Sequence, residues 1–317
     1  MQQIRAWLAT TPYKDYDITI ASADASFRKY YRLSKEGKSV IVMDASLEKS
    51  SLAPFMDITT RLLHVNVKAP KILLQNLSLG YLILEDFGDT NLLDVLNREN
   101  FKALYEKAID EIITMQNADS TNLPVYDKKF LHTEMDLMQE WYLEKKLALH
   151  VTQMQKELIS STLEAISNVV LSQPQNIFVH RDFHSRNIML TPQNELGVID
   201  YQDAMSGALT YDLVSLLKDC YIAFSREDIE ALALLFAEKK GLHVKREEFL
   251  KWFDFMGLQR HIKVLGIFSR LYLRDGKDGY LKDIPLTLHY VIETASRYNE
   301  TKEFGRLLGQ LSPDCRK

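Results

Sequence analysis

The rhythm of apolar and polar positions changes once along this chain. Up to about residue 88 the apolar runs are short and bounded by turn residues. Residues 39–43 and Tyr81–Glu85 read as strands, with a helical stretch over Leu52–His64 between them. Beyond that point apolar residues recur at spacings of three and four, which predicts helices over residues 101–116, 130–149, 152–171, 211–221, 228–240 and 281–299. Among these helices, Ile177–Val179 and residues 196–199 read as short buried strands, with Ile188, Met189, Leu190 and the turn Thr191-Pro192-Gln193-Asn194 between them. No internal repeat or low-complexity tract interrupts the pattern.

The short strands frame the most informative stretch, His180-Arg181-Asp182-Phe183-His184-Ser185-Arg186-Asn187, followed thirteen residues later by Asp200 at the end of an apolar run. In phosphoryl transfer to a hydroxyl, an aspartate receives or orients the proton. An asparagine five residues on binds a metal ion, and a second aspartate carries metal to the β- and γ-phosphates. Asp182, Asn187 and Asp200 match these roles, with Mg²⁺ as the metal and ATP as the nucleotide. Strand ends place such side chains on a fixed scaffold, the geometry that positioning a magnesium nucleotide requires.

Together these features predict an α+β, bilobal protein-kinase-like fold. A small β-rich N-lobe spans 1–88 with a nucleotide phosphate loop and hinge, and a larger, mainly helical C-lobe spans 89–317 with the catalytic loop and acceptor pocket. At 317 residues the chain is long enough to bury the core of two lobes. A formal net charge of −4 gives no general field for nucleic acid or an anionic membrane. Cys220 and Cys315 stand apart without ligand-spaced neighbours, so neither a disulfide framework nor a zinc site is indicated and a reducing compartment fits best. The first eight residues hold no apolar h-region, and no apolar run is long enough to span a bilayer, so a cytoplasmic protein without membrane partner is expected. Nothing in the sequence indicates an obligate protein partner.

Glu85-Asp86-Phe87-Gly88 closes the last N-lobe strand and reads as the hinge, where main-chain groups of Glu85 and Phe87 pair with adenine; a plain strand-to-helix turn is the alternative. Residues 23–33 occupy the place of a phosphate-covering loop but contain no glycine. Small Ala25 and Ser26 with Arg28 would do that work, or the segment is a hairpin with solvated cations. The strand Val40-Ile41-Val42-Met43 ends in methionine where protein kinases carry the phosphate-binding lysine. Either the site is inactive, as in a nucleotide-binding pseudokinase module, or another cation, Arg28 first and Arg32 second, takes over. Only a dozen residues separate Asp200 from Asp212 and no Ala-Pro-Glu follows, which points to a small-molecule acceptor rather than a peptide. Gln202 and Asp203 follow the metal aspartate and could line the acceptor pocket, or Asp203 could join the metal shell. Asp212 either braces the catalytic loop or serves the dipole of its helix.

The catalytic stretch, Val198-Ile199-Asp200-Tyr201-Gln202-Asp203-Ala204, the block from Tyr211 to Tyr221 and the block from Gln259 to Phe268 resemble the aminoglycoside phosphotransferase superfamily. Within it they are most similar to the bacterial anomeric kinases of N-acetylmuramate and N-acetylglucosamine. The likeness runs over nearly the whole chain, and that family also lacks the strand lysine. It implies ATP-dependent phosphorylation of the C1 hydroxyl of an amino sugar, giving a sugar 1-phosphate in cell-wall peptidoglycan recycling. The other reading is a kinase of another small alcohol, of aminoglycoside or choline type. Residues 251–282 hold seven Lys or Arg against three Asp, a net of +4, which suits the lactyl carboxylate of N-acetylmuramate better than a polycationic antibiotic. Arg260 and Arg270, with Lys263 and Arg274, are its candidate cations; a solvated helical surface is the alternative.

Overall fold

The computed structural model describes residues 1–22 and 28–311, so Ala25 and Ser26 lie outside the described residues. The chain clusters into two compact units: Met1–Leu92 with Asn187–Asp203, and Leu93–Arg186 with Ala204–Lys317.

The first unit is built on five antiparallel strands, β1 (Asp17–Ser22), β2 (Lys29–Lys35), β3 (Lys38–Asp44), β4 (Ile72–Asn76) and β5 (Tyr81–Glu85), in the order β1-β2-β3-β5-β4. β2 and β3 are joined by the two-residue turn Glu36-Gly37, in which both residues have positive φ, the conformation that matches strand twist and that glycine adopts freely. Alternate residues Leu33, Val42 and Ile83 point into one core with Ile4 of the N-terminal helix Gln2–Leu8. Met43 is fully buried opposite Leu82. The helix Leu52–His64 buries Leu52, Phe55, Ile58, Thr59 and Leu62 along one stripe.

The motif is flanked by β6 (Ile177–Val179), β7 (Ile188–Leu190), β8 (Leu196–Val198) and β9 (Met205–Gly207). β7 and β8 pair within the first unit, and β6 and β9 pair within the second. The β7–β8 hairpin is fixed to its unit by main-chain bonds from Val198 to Lys68 (2.8 Å) and from Leu190 to Thr90 (2.9 Å). Gly197 sits against the Phe87 ring, where a Cβ would come within 2.5 Å of a ring carbon. The side chain of the expected hinge residue is therefore a packing element.

The second unit is helical around one 30-residue helix, Arg246–Asp275, stopped by Gly276 in the left-handed conformation. This helix does not follow from the apolar rhythm, because its sides are buried almost all round and Asp254, Gln259, Arg260, His261 and Lys263 are buried in it. The helix expected over 130–149 is α-helical only over Lys128–Leu137 and continues as a π-helix over Met138–Lys146. The last expected helix begins as a 3₁₀ turn, Asp278–Asp283, and becomes α-helical at Ile284–Ala295, with Pro285 in its first turn. Among the described residues no helix is long and apolar enough to cross a membrane.

Close approach of the long helix to its neighbour depends on Gly266, whose added Cβ would fall 2.5 Å from the Leu137 carbonyl carbon. Gly266→Ala is expected to lower unfolding stability by about 1–3 kcal/mol through overpacking. Gly309→Ala in the helix Lys302–Leu311 meets open space and should raise it by up to about 1 kcal/mol. Chemical denaturation of both variants checks the pair; equal effects would contradict the packing.

Candidate active site

β6 delivers His180 into a loop whose first half is held by one carboxylate. Asp212, in the first turn of the helix Tyr211–Leu217, accepts from the backbone N–H of His180 (2.8 Å) and of Arg181 (3.0 Å). Asp212 thus braces the loop. Burial pushes its carboxyl up to about 6, against the pull of His180 and the two amides. Arg181 has φ of 78°, a left-handed conformation that costs a non-glycine residue about 1–2 kcal/mol. Its surroundings hold it there. The Arg181 carbonyl accepts from Arg260 Nη1 (2.7 Å) and Ser215 Oγ (3.3 Å), and its guanidinium donates to Glu134 (2.7 Å). His180 is buried, and its Nδ1 accepts from the Asp182 N–H at 3.2 Å, which puts the ring proton on Nε2.

This bend turns the Asp182 carboxylate outward, with 43% of its side chain exposed and Arg260 Nη2 3.7 Å away. Behind Arg260, the Lys263 ammonium pairs with Glu134 (2.9 Å) and donates to the Tyr211 hydroxyl (3.2 Å); Glu134 also accepts from Tyr126. Arg181, Arg260 and Lys263 thus face Glu134, Asp182 and Asp212, so the buried charges are compensated as a group. Burial alone would raise the Asp182 carboxyl, but Arg260 and then Lys263 outweigh it and hold it well below the usual carboxylate range. An ionised, accessible carboxylate at this point is fit to accept a proton from a hydroxyl.

The rest of the loop is anchored by Asp219, which accepts from Ser185 N–H (2.9 Å) and from Tyr221 N–H (3.0 Å). His184 and Arg186 flank Ser185, with the His184 ring 5.3 Å from that of Tyr221 and the Arg186 guanidinium 3.6 Å over its face.

In the first unit, the Ile199 N–H donates to the Asn187 carbonyl (3.1 Å), and Asn187 Nδ2 lies 3.4 Å from Asp200 Oδ2. Asp200 is exposed and also left-handed, with φ of 65°. Gln202 Nε2 donates to Asp200 (2.9 Å) and to Asp203 (3.3 Å), so Gln202 and Asp203 group with the Asp200 carboxylate. An amide and a carboxylate at this separation are the few oxygen donors that magnesium takes from protein, leaving its other positions to phosphate and water. No group of three or more metal-binding His, Cys, Asp or Glu occurs among the described residues. Tyr201 turns inward, its hydroxyl 2.8 Å from Thr59 Oγ1 and its ring stacked on Phe55 of the helix Leu52–His64.

Arg28 donates to Ser51 Oγ (3.2 Å), and Tyr30 lies within electrostatic reach of both Arg28 and Asp200. Arg32, the second candidate for the missing lysine, is spent elsewhere: it donates to Asp86 (2.6 and 3.0 Å), Asp89 (2.5 Å) and the Gly88 carbonyl (3.1 Å), fixing the segment after β5. Glu85 pairs through its N–H with the Lys71 carbonyl (2.9 Å), and Phe87 is buried.

The candidate cations of the long helix divide. Arg260 and Lys263 lie buried under the loop, Arg274 is exposed and paired with Asp275 (2.7 Å), and Arg270 is half-buried with an Nε that has no hydrogen-bond partner among the described residues. The basic stretch is therefore neither a solvated surface nor one continuous binding face. Ser215, Asp219, Glu134 and Lys263 support the loop from positions that no motif spacing marks. The Tyr211 to Tyr221 block hinted at the first two and the Gln259 to Phe268 block held Lys263, whereas no signal marked Glu134.

Residues 17–247 match the phosphotransferase enzyme family. The chain is 40% identical to a protein of Neisseria meningitidis serogroup B named N-acetylmuramate/N-acetylglucosamine kinase, covering 98% of this chain and 96% of that one. It is 37% identical to a protein of the same name from Pseudomonas putida, over 94% of this chain and 89% of that one. Among solved structures, the ADP-bound aminoglycoside phosphotransferase APH(2'')-Ib matches with a TM-score of 0.62 and 17% identity, covering 92% of this chain and 98% of that chain, a likeness of fold.

With Asp182 as the proposed general base, the acid limb of the pH–rate profile is expected to report its ionisation. Since the base works only when ionised, activity is lost as pH falls through its pKa, which Arg260 keeps low. Arg260→Met should move that limb up to or above about 4, the ordinary aspartate value, and lower kcat by about 10–10² as the loop loses its clamp. Arg260→Lys, which keeps the charge, should leave the limb low. A limb that stays in place in Arg260→Met would contradict the role given to Arg260.

Proposed function

Because the chain belongs to the phosphotransferase enzyme family, we propose that it transfers the γ-phosphoryl group of ATP to the C1 hydroxyl of an N-acetylated amino sugar, N-acetylmuramate or N-acetylglucosamine. The observation that carries this reading is the near-full-length likeness to proteins named for that activity. The product, a sugar 1-phosphate, fits a role in cytoplasmic peptidoglycan recycling.

In this reading Asp182 accepts the proton of the attacking hydroxyl, and Arg260 keeps it ionised for that task. Asn187 and Asp200 would hold Mg²⁺, which would supply charge neutralisation for the transferring phosphoryl group. Arg28 adds the cation that a strand lysine would otherwise provide, since Met43 is committed to the core and Arg32 to the segment Asp86–Asp89. Residues 1–88 serve the nucleotide, through the phosphate loop with Ala25 and Ser26 and the main chain at Glu85 and Phe87. Residues 89–317 bind the acceptor. Gln202 and Asp203 orient the metal carboxylate rather than the sugar.

The test is an ADP-release assay with MgATP and a panel of N-acetylmuramate, N-acetylglucosamine, an aminoglycoside and choline. Turnover of the two amino sugars alone is expected. Asp182→Asn should lower kcat by about 10²–10⁴, the range for a lost general base, with nucleotide affinity nearly intact. Preferred turnover of choline or the aminoglycoside would contradict the substrate class, and unchanged turnover in Asp182→Asn would remove it from the chemistry.

A further inference from the structure

We propose that Asp283, His184 and Arg186 form the acceptor-sugar subsite, with Arg186 receiving the lactyl carboxylate that distinguishes N-acetylmuramate from N-acetylglucosamine. This inference rests on the amino-sugar reading above and assigns its recognition to particular atoms.

Three segments of the helical unit build this subsite. The Asp219 carboxylate holds Ser185 and Tyr221 by their amides, fixing the catalytic loop against the end of the block from Tyr211 to Tyr221. On that frame, His184 meets the edge of the Tyr221 ring and Arg186 lies over its face. The third segment is the 3₁₀ turn Asp278–Asp283, whose last residue is within electrostatic reach of both Arg186 and Asp219.

Two buried polar atoms here lack partners. Asp283 is 8% exposed, yet its Oδ2 accepts no hydrogen bond among the described residues. Aspartate immediately before a helix ordinarily caps it by accepting from a backbone N–H of the first turn. Asp283 precedes Ile284–Ala295 and makes no such bond, so its carboxylate is not used for helix capping. His184 Nδ1 is likewise buried and without partner, while the His184 N–H donates to the Asp182 carbonyl (3.0 Å). Buried polar atoms without partners call for a ligand or an ordered water. An amino sugar offers matching groups in its ring hydroxyls and acetamide N–H, which can donate to Asp283 and His184.

Arg186 differs from the other cations considered. Arg260 and Lys263 are occupied by Arg181, Glu134 and Asp182, and Arg274 by Asp275. Arg186 is part-exposed, rests on an aromatic face and enters no ion pair among the described residues. It stands four residues from Asp182 in the same loop. Its guanidinium fork suits a carboxylate, while a neutral sugar has no anion to offer it.

The test is steady-state kinetics with both sugars on the full chain. Arg186→Ala should shift the ratio of kcat/KM values by about 10–100-fold toward the neutral sugar, as expected for a lost charge-assisted contact, and Arg186→Lys should restore much of it. Asp283→Asn should raise KM for both sugars by about tenfold with ATP KM retained, because both carry the acetamide and ring hydroxyls. An Arg186→Ala variant that loses both sugars equally, or a ratio that responds to Arg270→Ala instead, overturns the assignment of Arg186. Unchanged sugar KM values in Asp283→Asn overturn that of Asp283. A wild-type enzyme that turns over neither sugar sinks the amino-sugar reading itself, an outcome distinct from failure of the variants.

Discussion

The helical unit depends on one buried ionic arrangement, the guanidinium of Arg260 set between the Arg181 carbonyl and the Asp182 carboxylate. Its charge is embedded in a group with Lys263, Glu134 and Arg181, so that no member is buried alone. Removing one partner from such a group typically costs about 3–5 kcal/mol, because a charge is left uncompensated away from water. The same contacts hold Arg181 in a left-handed backbone that the chain would otherwise avoid. Strain, charge and exposure are thereby joined in one loop. The bend directs Asp182 outward, and the cations behind it keep the carboxylate ionised.

The first unit applies a simpler rule. A two-strand hairpin bonded to Lys68 and Thr90 presents Asn187 and Asp200 side by side at its open end, and the inward-facing Tyr201 fixes the second of these to the helix Leu52–His64. Asp200 is left-handed as well, so both acidic residues of the motif stand at or next to strained backbone. Such geometry is stable only where surrounding bonds determine it, and here it sets the direction of the Asp200 carboxylate.

Much of this was legible in the sequence because it is local. Strands Tyr81–Glu85 and Ile177–Val179, the helix Leu52–His64, and the spacing of Asp182, Asn187 and Asp200 can each be read within a short window. The 30-residue helix could not, since buried charges on its inner sides erase the apolar stripe that marks a surface helix. For the same reason Arg260 and Lys263 read as candidate cations for a substrate carboxylate, or else as a solvated surface, although they pair inward with groups over a hundred residues away or with the loop itself. Met43 read as a missing catalytic residue and is a core side chain. Periodicity reports which side of an element is apolar. It does not report ion pairs between elements distant in sequence.

In the proposed reaction this loop aspartate takes its proton from the anomeric hydroxyl of an amino sugar. The most direct measurement is phosphorus NMR on the product formed from MgATP and an amino sugar labelled with ¹³C at C1. A phosphate monoester resonance split by coupling to the labelled anomeric carbon is expected. A phosphate ester without that coupling, as from transfer to the C6 hydroxyl, would contradict it.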